Sequence, residues 1–233
     1  MESNTFYDIY LEELKNLPQG TPEEETALLK KLTEGDKTAA SRLTELKLAK
    51  AVQIAEEYHD RGLPAGDLVQ EANMALFLFA SEYENGDFDA QMEKKVRALA
   101  IAHLVNRYIN AYIGKLSPMC SCVMASSTAA SVGIAYLLGG SDEQLGYAVR
   151  NMSGTVTGMI CDGGKVGCAM KVATGSSAAL LCALTAVHDA PLRVSDGICA
   201  ETPEDCIRHM AQIGNQGMAQ TDKEIIHIME QKK

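Results

Sequence analysis

The amino-acid sequence predicts an all-α fold, and three observations carry that expectation. Helix-start signals recur: Thr21-Pro22-Glu23-Glu24, Ser141-Asp142-Glu143-Gln144 and Thr221-Asp222-Lys223-Glu224 each set a capping hydroxyl three residues before a side chain that can reach back. Thr202-Pro203-Glu204-Asp205 is a variant with Asp in the last place. Apolar residues fall at helical spacing, as in Leu43, Leu46, Leu48, Val52, Ile54 and Ala55. Strand signals are missing: there is no sustained alternation of β-branched and polar residues and no Asn-Gly turn between such runs.

The first helices are expected at about 6–15, 22–33, 36–58 and 64–84, with Arg61-Gly62-Leu63-Pro64 breaking the third from the fourth. In the fourth, Leu68, Ala72, Ala75, Leu76 and Phe79 share one face, while Asp67, Gln70, Glu71 and Asn73 stay outside. That outer face reads either as a solvated acidic surface or as a docking face for a basic partner. From Glu93 onward the helices become small, apolar and punctuated by glycine. Residues 125–135 are almost all Ala, Ser, Thr, Val and Gly, so neighbouring helices can approach closely there. The most apolar stretches, 123–138 and 172–187, carry Ser and Thr and fall short of the roughly 20 residues that cross a bilayer. Both are expected to be buried in protein, and no membrane association is expected.

Charge divides the chain. Its 233 residues have a formal net charge of −10, which argues against whole-chain attraction to nucleic acid. Residues 1–92 hold 19 acidic and 8 basic side chains, whereas residues 93–233 hold 12 and 13. All seven cysteines and 14 of the 19 glycines lie in the second part. Two domains are therefore expected, 1–92 and 93–233. The opening Met1-Glu2-Ser3-Asn4 has neither a positive region nor an apolar run, so no signal peptide is expected. An odd number of cysteines without such a signal points to reduced thiols in a cytoplasm.

The chemically richest stretch is Gly158-Met159-Ile160-Cys161-Asp162-Gly163-Gly164-Lys165-Val166-Gly167-Cys168-Ala169-Met170-Lys171. Cys161 and Cys168 flank a glycine-rich loop whose backbone N–H groups can turn toward an anion or a cluster sulfur. Asp162, Gly163, Gly164 and Lys165 form the candidate substrate- or cluster-facing loop, and Lys165 with Lys171 would favour thiolate over thiol. Cys120-Ser121-Cys122 supplies further ligands earlier in the chain. Cysteines on glycine-rich turns suit an iron–sulfur cluster or a structural zinc. Zinc sites more often use pairs two to four residues apart, a spacing not met here. Buried thiols acting as small hydrophobes are the competing reading, assigned to Cys182, Cys199 and Cys206.

Two resemblances follow from these residues. Residues 28–89, through Gly35-Asp36, Arg61-Gly62-Leu63 and Asp67-Leu68-Val69-Gln70-Glu71-Ala72-Asn73, resemble the start of region 2 of sigma-70-type sigma factors. That resemblance implies docking on the β′ subunit of RNA polymerase through Asp67, Gln70, Glu71 and Asn73. The chain departs from the family where the family touches DNA: it has no Trp, and no aromatic run follows Phe88. Direct DNA binding is therefore not expected.

Residues 93–229 resemble the C-terminal part of the iron–sulfur serine dehydratase α-chain and L-cysteine desulfidase superfamily. The carrying motifs are Arg97-Ala98-Leu99-Ala100, Ile113-Gly114-Lys115-Leu116-Ser117, Gly133-Ile134-Ala135-Tyr136-Leu137-Leu138-Gly139-Gly140, Gly158-Met159-Ile160-Cys161-Asp162-Gly163, Gly167-Cys168-Ala169 and Gly217-Met218 with Thr221-Asp222. The resemblance implies a 4Fe–4S cluster on Cys120, Cys161 and Cys168, with Cys122 as the alternative to Cys120. It implies conversion of a small amino acid, serine or cysteine, to pyruvate and ammonia, an iron left open by three thiolates acting as Lewis acid. The loop from Cys161 to Cys168 is shorter than in the dehydratases, and residues 228–233 lack the terminal cysteine some of them use. The sigma-like segment stands where the family has a longer N-terminal half, so the expected lyase site is catalytically incomplete, or the chain is an inactive fusion. His188, His209 and His227 are candidate bases by residue type alone, and His59 and His103 have no better claim.

Overall fold

The structure, a computed structural model, describes residues 6–114 and 117–232. Met1-Glu2-Ser3-Asn4, the Lys115-Leu116 pair of the 113–117 motif and the terminal Lys233 lie outside the described residues. Among the described residues the fold is all-α, with no strand and a single isolated β-bridge, Met119 to Ile160. The elements are α1 (Phe6–Lys15), α2 (Pro22–Thr33), α3 (Ala39–Glu56), α4 (Ala65–Glu82), α5 (Phe88–Ile113), α6 (Ser121–Leu137), α7 (Asp142–Val156), α8 (Gly167–Val187), α9 (Pro203–Gln212), a π-turn (Ile213–Gly217) and α10 (Ala219–Glu230). Contacts divide the chain into two compact units, Met1–Ala100 and Ile101–Lys233.

In the first unit α3 and α4 form the main packing pair, with α2 lying against α3. Thr21 caps α2 as its motif predicts, its hydroxyl accepting from Glu24 N at 3.1 Å. The apolar sets converge on one core around Leu43, Val52, Leu68, Leu76 and Phe79, joined by Tyr83, Phe88 and Met92. Phe79, Tyr83 and Phe88 meet as a ring cluster with centroids 4.9–5.8 Å apart. Lys47 is buried too, which its place on an apolar face does not announce. Its ammonium bridges Glu25 at 2.5 Å and Asp89 at 2.8 Å, so the charge enters the interior already paired. Asn73, expected outside with its acidic neighbours, instead donates to Tyr10 Oη at 2.8 Å and so ties α4 to α1.

The second unit is built on mutual packing of α6, α7 and α8. Its core combines Ala125, Ala135, Ala148, Ala179, Ala183 and Ala186 with Met119, Met124, Met152 and Met210. Small residues let helix backbones come close: a Cβ added at Gly175 of α8 would stand 2.2 Å from Ser127 Oγ and 2.6 Å from Val123 Cγ1 of α6. Ser141 and Gln144 complete the expected capping box on α7, and Thr202 caps α9 by accepting from Asp205 N at 3.1 Å. Arg150 donates to Ala200 O at 2.9 Å and Glu201 O at 2.8 Å, and Asn151 accepts from Leu192 N at 2.8 Å, so α7 anchors the 192–201 loop.

Two expectations fail here. Thr221 does not open a helix: it is the third residue of α10, because the π-turn carries α9 onward through Met218 N to Ile213 O at 2.9 Å. The second apolar stretch is not enclosed in protein. Stretch 123–138 is largely buried as α6, but α8 buries only Gly175, Ala179, Cys182, Ala183 and Ala186. Its other side, including Met170, Leu180, Leu181 and Leu184, is exposed. By length and composition alone, α8 is also the one described helix that could cross a membrane.

Candidate functional site

The site begins with two crossings of the chain. Before α6, residues 118–120 lead into the helix through a bend; after α7, Gly158 takes a φ of +105°, a left-handed value that suits glycine, and turns the chain into 159–161. The two stretches pair antiparallel around Met119 and Ile160, with Cys120 N donating to Met159 O at 2.8 Å and Cys161 N to Pro118 O at 2.7 Å. Since side chains alternate across a pleat, Cys120 and Cys161 fall diagonally on one side of this bridge. Met119, on the other side, is fully buried and presses on the π-turn, where a Cβ at Gly214 would come 2.5 Å from its Cε.

Cys120 sits at the entry of α6, its carbonyl accepting from Val123 N at 3.0 Å and Met124 N at 2.8 Å. Burial pushes its thiol pKa up, opposed by the Val123 N–H, with the Cys161 and Cys122 thiols adding to the rise and the Lys171 ammonium a lesser opposing influence. Asp162 receives both Lys165 and Lys171, the latter at 2.5 Å. The bonds from Lys165 and then Lys171 hold the Asp162 carboxyl well below the usual carboxylate range. Lys171 also donates to Ile160 O at 2.9 Å, and its pKa is raised by Asp162 first and then by the Cys120 and Cys161 thiols within its electrostatic reach. Asp162 and the bridge backbone therefore fix one positive charge beside two thiols.

Cys168 lies on the first turn of α8, with its Sγ donating to Gly163 O at 3.7 Å across the loop. The chain thus gathers Cys120, Cys161, Asp162, Lys165 and Lys171 and leaves Cys168 on the far limb of the same loop. A Cβ at Gly163 or Gly164 would meet nothing within 4 Å, so the loop borders open space. Cys122 is exposed on α6, whereas Cys182, Cys199 and Cys206 are buried and burial raises the pKa of each.

Among the described residues no three His, Cys, Asp or Glu side chains stand together as the ligands of one metal ion. A cluster makes a different demand, because its thiolates bind separate irons and stand farther apart than the ligands of one ion. The donor set suits that demand in kind: two thiols flank one bridge, a third stands on the far limb of the loop, and the Lys171 ammonium lies within electrostatic reach of the first two. The histidines make ring bonds elsewhere: His188 to Leu184 O, His209 to Ile198 O and His227 to Gln231. The Met119–Ile160 pairing itself has no sequence signal, being a single bridge between two short extended stretches.

On the first unit, Asp67 and Gln70 are exposed on α4 and Glu71 and Asn73 are half-buried. Beside them a largely apolar groove of about 570 Å³ runs between α1 and α4, lined by Phe6, Tyr7, Tyr10, Val69, Met74 and Phe77 among others.

The serine dehydratase alpha chain family matches residues 72–227, beginning in α4 and so reaching further toward the N-terminus than Glu93. A UPF0597 protein of Alkaliphilus metalliredigens is 34% identical over an alignment that covers 97% of this chain and 57% of the relative. UPF0597 proteins of Parabacteroides distasonis and Clostridioides difficile are 43% and 39% identical, over 61% and 62% of this chain and 33% and 34% of their own lengths. The chain thus spans between a third and somewhat over half of these relatives. No solved structure matches it. Nothing in the comparisons supports the sigma-factor resemblance, and the A. metalliredigens alignment runs through both units, against a join of two unrelated pieces. The match over 72–227 settles the kinship: the chain belongs to the serine dehydratase alpha chain family.

Proposed function

We propose that this chain supplies the cluster-holding part of a lyase that converts serine or cysteine to pyruvate and ammonia. The observation that carries the reading is the meeting of Cys120 and Cys161 across the Met119–Ile160 bridge in a chain of this family. Cys120, Cys161 and Cys168 are the residues that would hold a 4Fe–4S cluster, with Cys122 the alternative to Cys120. Such a group, when bound, supplies a Lewis-acidic iron to the substrate's carboxylate and leaving group. The chain's own residues prepare the place: Lys171 holds positive charge beside the thiols, its pKa raised by Asp162, which also pairs with Lys165. Gly163 and Gly164 border open space, and their backbone N–H groups suit an anionic carboxylate. All seven thiols are free, in keeping with a reducing cytoplasm. Because the relatives are longer, the catalytic base and the rest of the substrate pocket are assigned to polypeptide beyond the aligned part.

Anaerobic reconstitution with ferrous iron and sulfide tests the reading. The expected result is a brown protein carrying iron and acid-labile sulfide, lost in Cys161→Ser. A colourless, iron-free sample overturns cluster binding, whatever the activity.

A second reading, binding to the β′ subunit of RNA polymerase through Asp67, Gln70, Glu71 and Asn73, has the apolar groove beside α4 in its favour. Retention on immobilised β′ coiled coil, weakened by Glu71→Lys, is its expected result; no retention of the unmodified chain defeats it.

A further inference from the structure

Helix α8 runs for 21 residues, and from Val172 to Val187 it carries no charged side chain. Its inward stripe of Gly175, Ala179, Cys182, Ala183 and Ala186 is buried. Its outward stripe, Met170, Ala173, Ser177, Leu181 and Leu184, recurs every three or four residues and is exposed, Met170 to 72% and Leu181 to 60%. A helix that faces water on one side ordinarily carries charge there, and a continuous uncharged surface of this kind marks a contact. Val166, 92% exposed, extends the surface into the cysteine loop.

The length of the relatives says what covers it. The A. metalliredigens protein uses almost all of this chain in alignment, yet a large part of its own length lies outside that alignment. That relative therefore has polypeptide outside the aligned region, and the outward face of α8 is as free of charge as a surface packed against further polypeptide would be. A bilayer fits less well, because the inward stripe is locked to α6 through Gly175 against Ser127 and Val123.

We propose that the outward face of α8 is a docking surface for polypeptide equivalent to the unaligned part of the A. metalliredigens relative. Cys168 and Lys171 stand within the first two turns of the same helix, so an occupant seated on Met170 also roofs the cysteine loop. This inference rests on family membership and on the exposed face, and it stands or falls separately from cluster binding.

Co-expression of the 233-residue chain with the tagged unaligned segment of that relative tests it, read by co-purification and by light scattering. A one-to-one complex is expected, with hydrogen-exchange protection gained across 170–184. Met170→Glu and Leu181→Glu change exposed side chains, so each variant is expected to keep its circular dichroism and thermal midpoint. Each should weaken the complex by about tenfold or more. No co-purification of the unmodified chain overturns the proposal, and so does a complex indifferent to both substitutions. A chain that alone forms dimers cross-linked through α8, or that alone inserts 167–187 into vesicles, overturns it as well.

Discussion

The first unit fills its interior with Leu43, Leu68, Leu76 and the rings of Phe79, Tyr83 and Phe88, whereas the second relies on alanines, glycines and methionines. The first sets buried or half-buried charge in pairs: Lys47 with Glu25 and Asp89, Arg97 with Glu57 and Glu93. The second places two ion pairs on the cysteine loop, where Asp162 takes both Lys165 and Lys171. Large side chains hold helices together by volume; small ones do so by letting backbones approach. Opposite kinds of substitution should therefore be the costly ones in the two units: removing volume in the first and adding it in the second.

The largest effect is expected from emptying the first core. Leu76→Ala removes a fully buried side chain and should cost about 2–5 kcal/mol in urea unfolding. A cost below 1 kcal/mol would show that volume is not what holds this unit. The matching test in the second unit adds volume. Gly175→Val forces Ser127 or Val123 to move and should cost about 1–3 kcal/mol, where a core held by side-chain volume would absorb it. Helix caps should not distinguish the units: Thr21→Ala and Ser141→Ala each remove a capping hydroxyl and should cost about 1 kcal/mol. A large inequality would show that one of the helices is held chiefly by tertiary packing.

The smallest effect is the response to acid. Asp89, despite the opposing push of burial, is held below its ordinary value by Lys47 and then Lys50. A depressed carboxylate contributes stability above its unfolded value and loses it as pH falls through the folded one, so the Lys47–Asp89 contribution begins to fall away below about pH 4 and is gone once pH passes the lower folded value. Urea titrations on either side of that window should show the loss, and Lys47→Met should shrink it. An unchanged pH dependence in that variant would remove the pair from the first unit's account.

Thiol reactivity compares positions within the second unit. Iodoacetamide with mass-spectrometric readout should label exposed Cys122 well before buried Cys182, Cys199 and Cys206, whose thiol pKa values burial raises. Early labelling of Cys206, fully buried and bonded to Ala200, would contradict the core described for that unit.

Local physics made part of this legible. The caps at Thr21, Ser141 and Thr202 were readable because a cap needs only four consecutive residues. The buried face of α4 was readable because five apolar residues at helical spacing can share only one side. Thr221 misled because a capping motif says nothing about whether a helix is already running, and the π-turn was running. Lys47 and the outward side of α8 were hidden for a related reason: hydrophobicity counts what a helix carries, whereas burial depends on what arrives from elsewhere. At the candidate site, sequence named the thiols and the loop, but the pairing of Met119 with Ile160 depends on where α6 and α7 return the chain.

That bridge also sets an order of events. Cys120 and Cys161 are separated along the chain by the whole of α6 and α7, and closing so long a loop costs entropy that only the packed helices offset. A chain still emerging or unfolded offers a metal donor two unrelated thiols, each a weak single-point ligand. The paired form arises when α6 and α7 have packed, so the two thiols come together only after this part of the chain has folded.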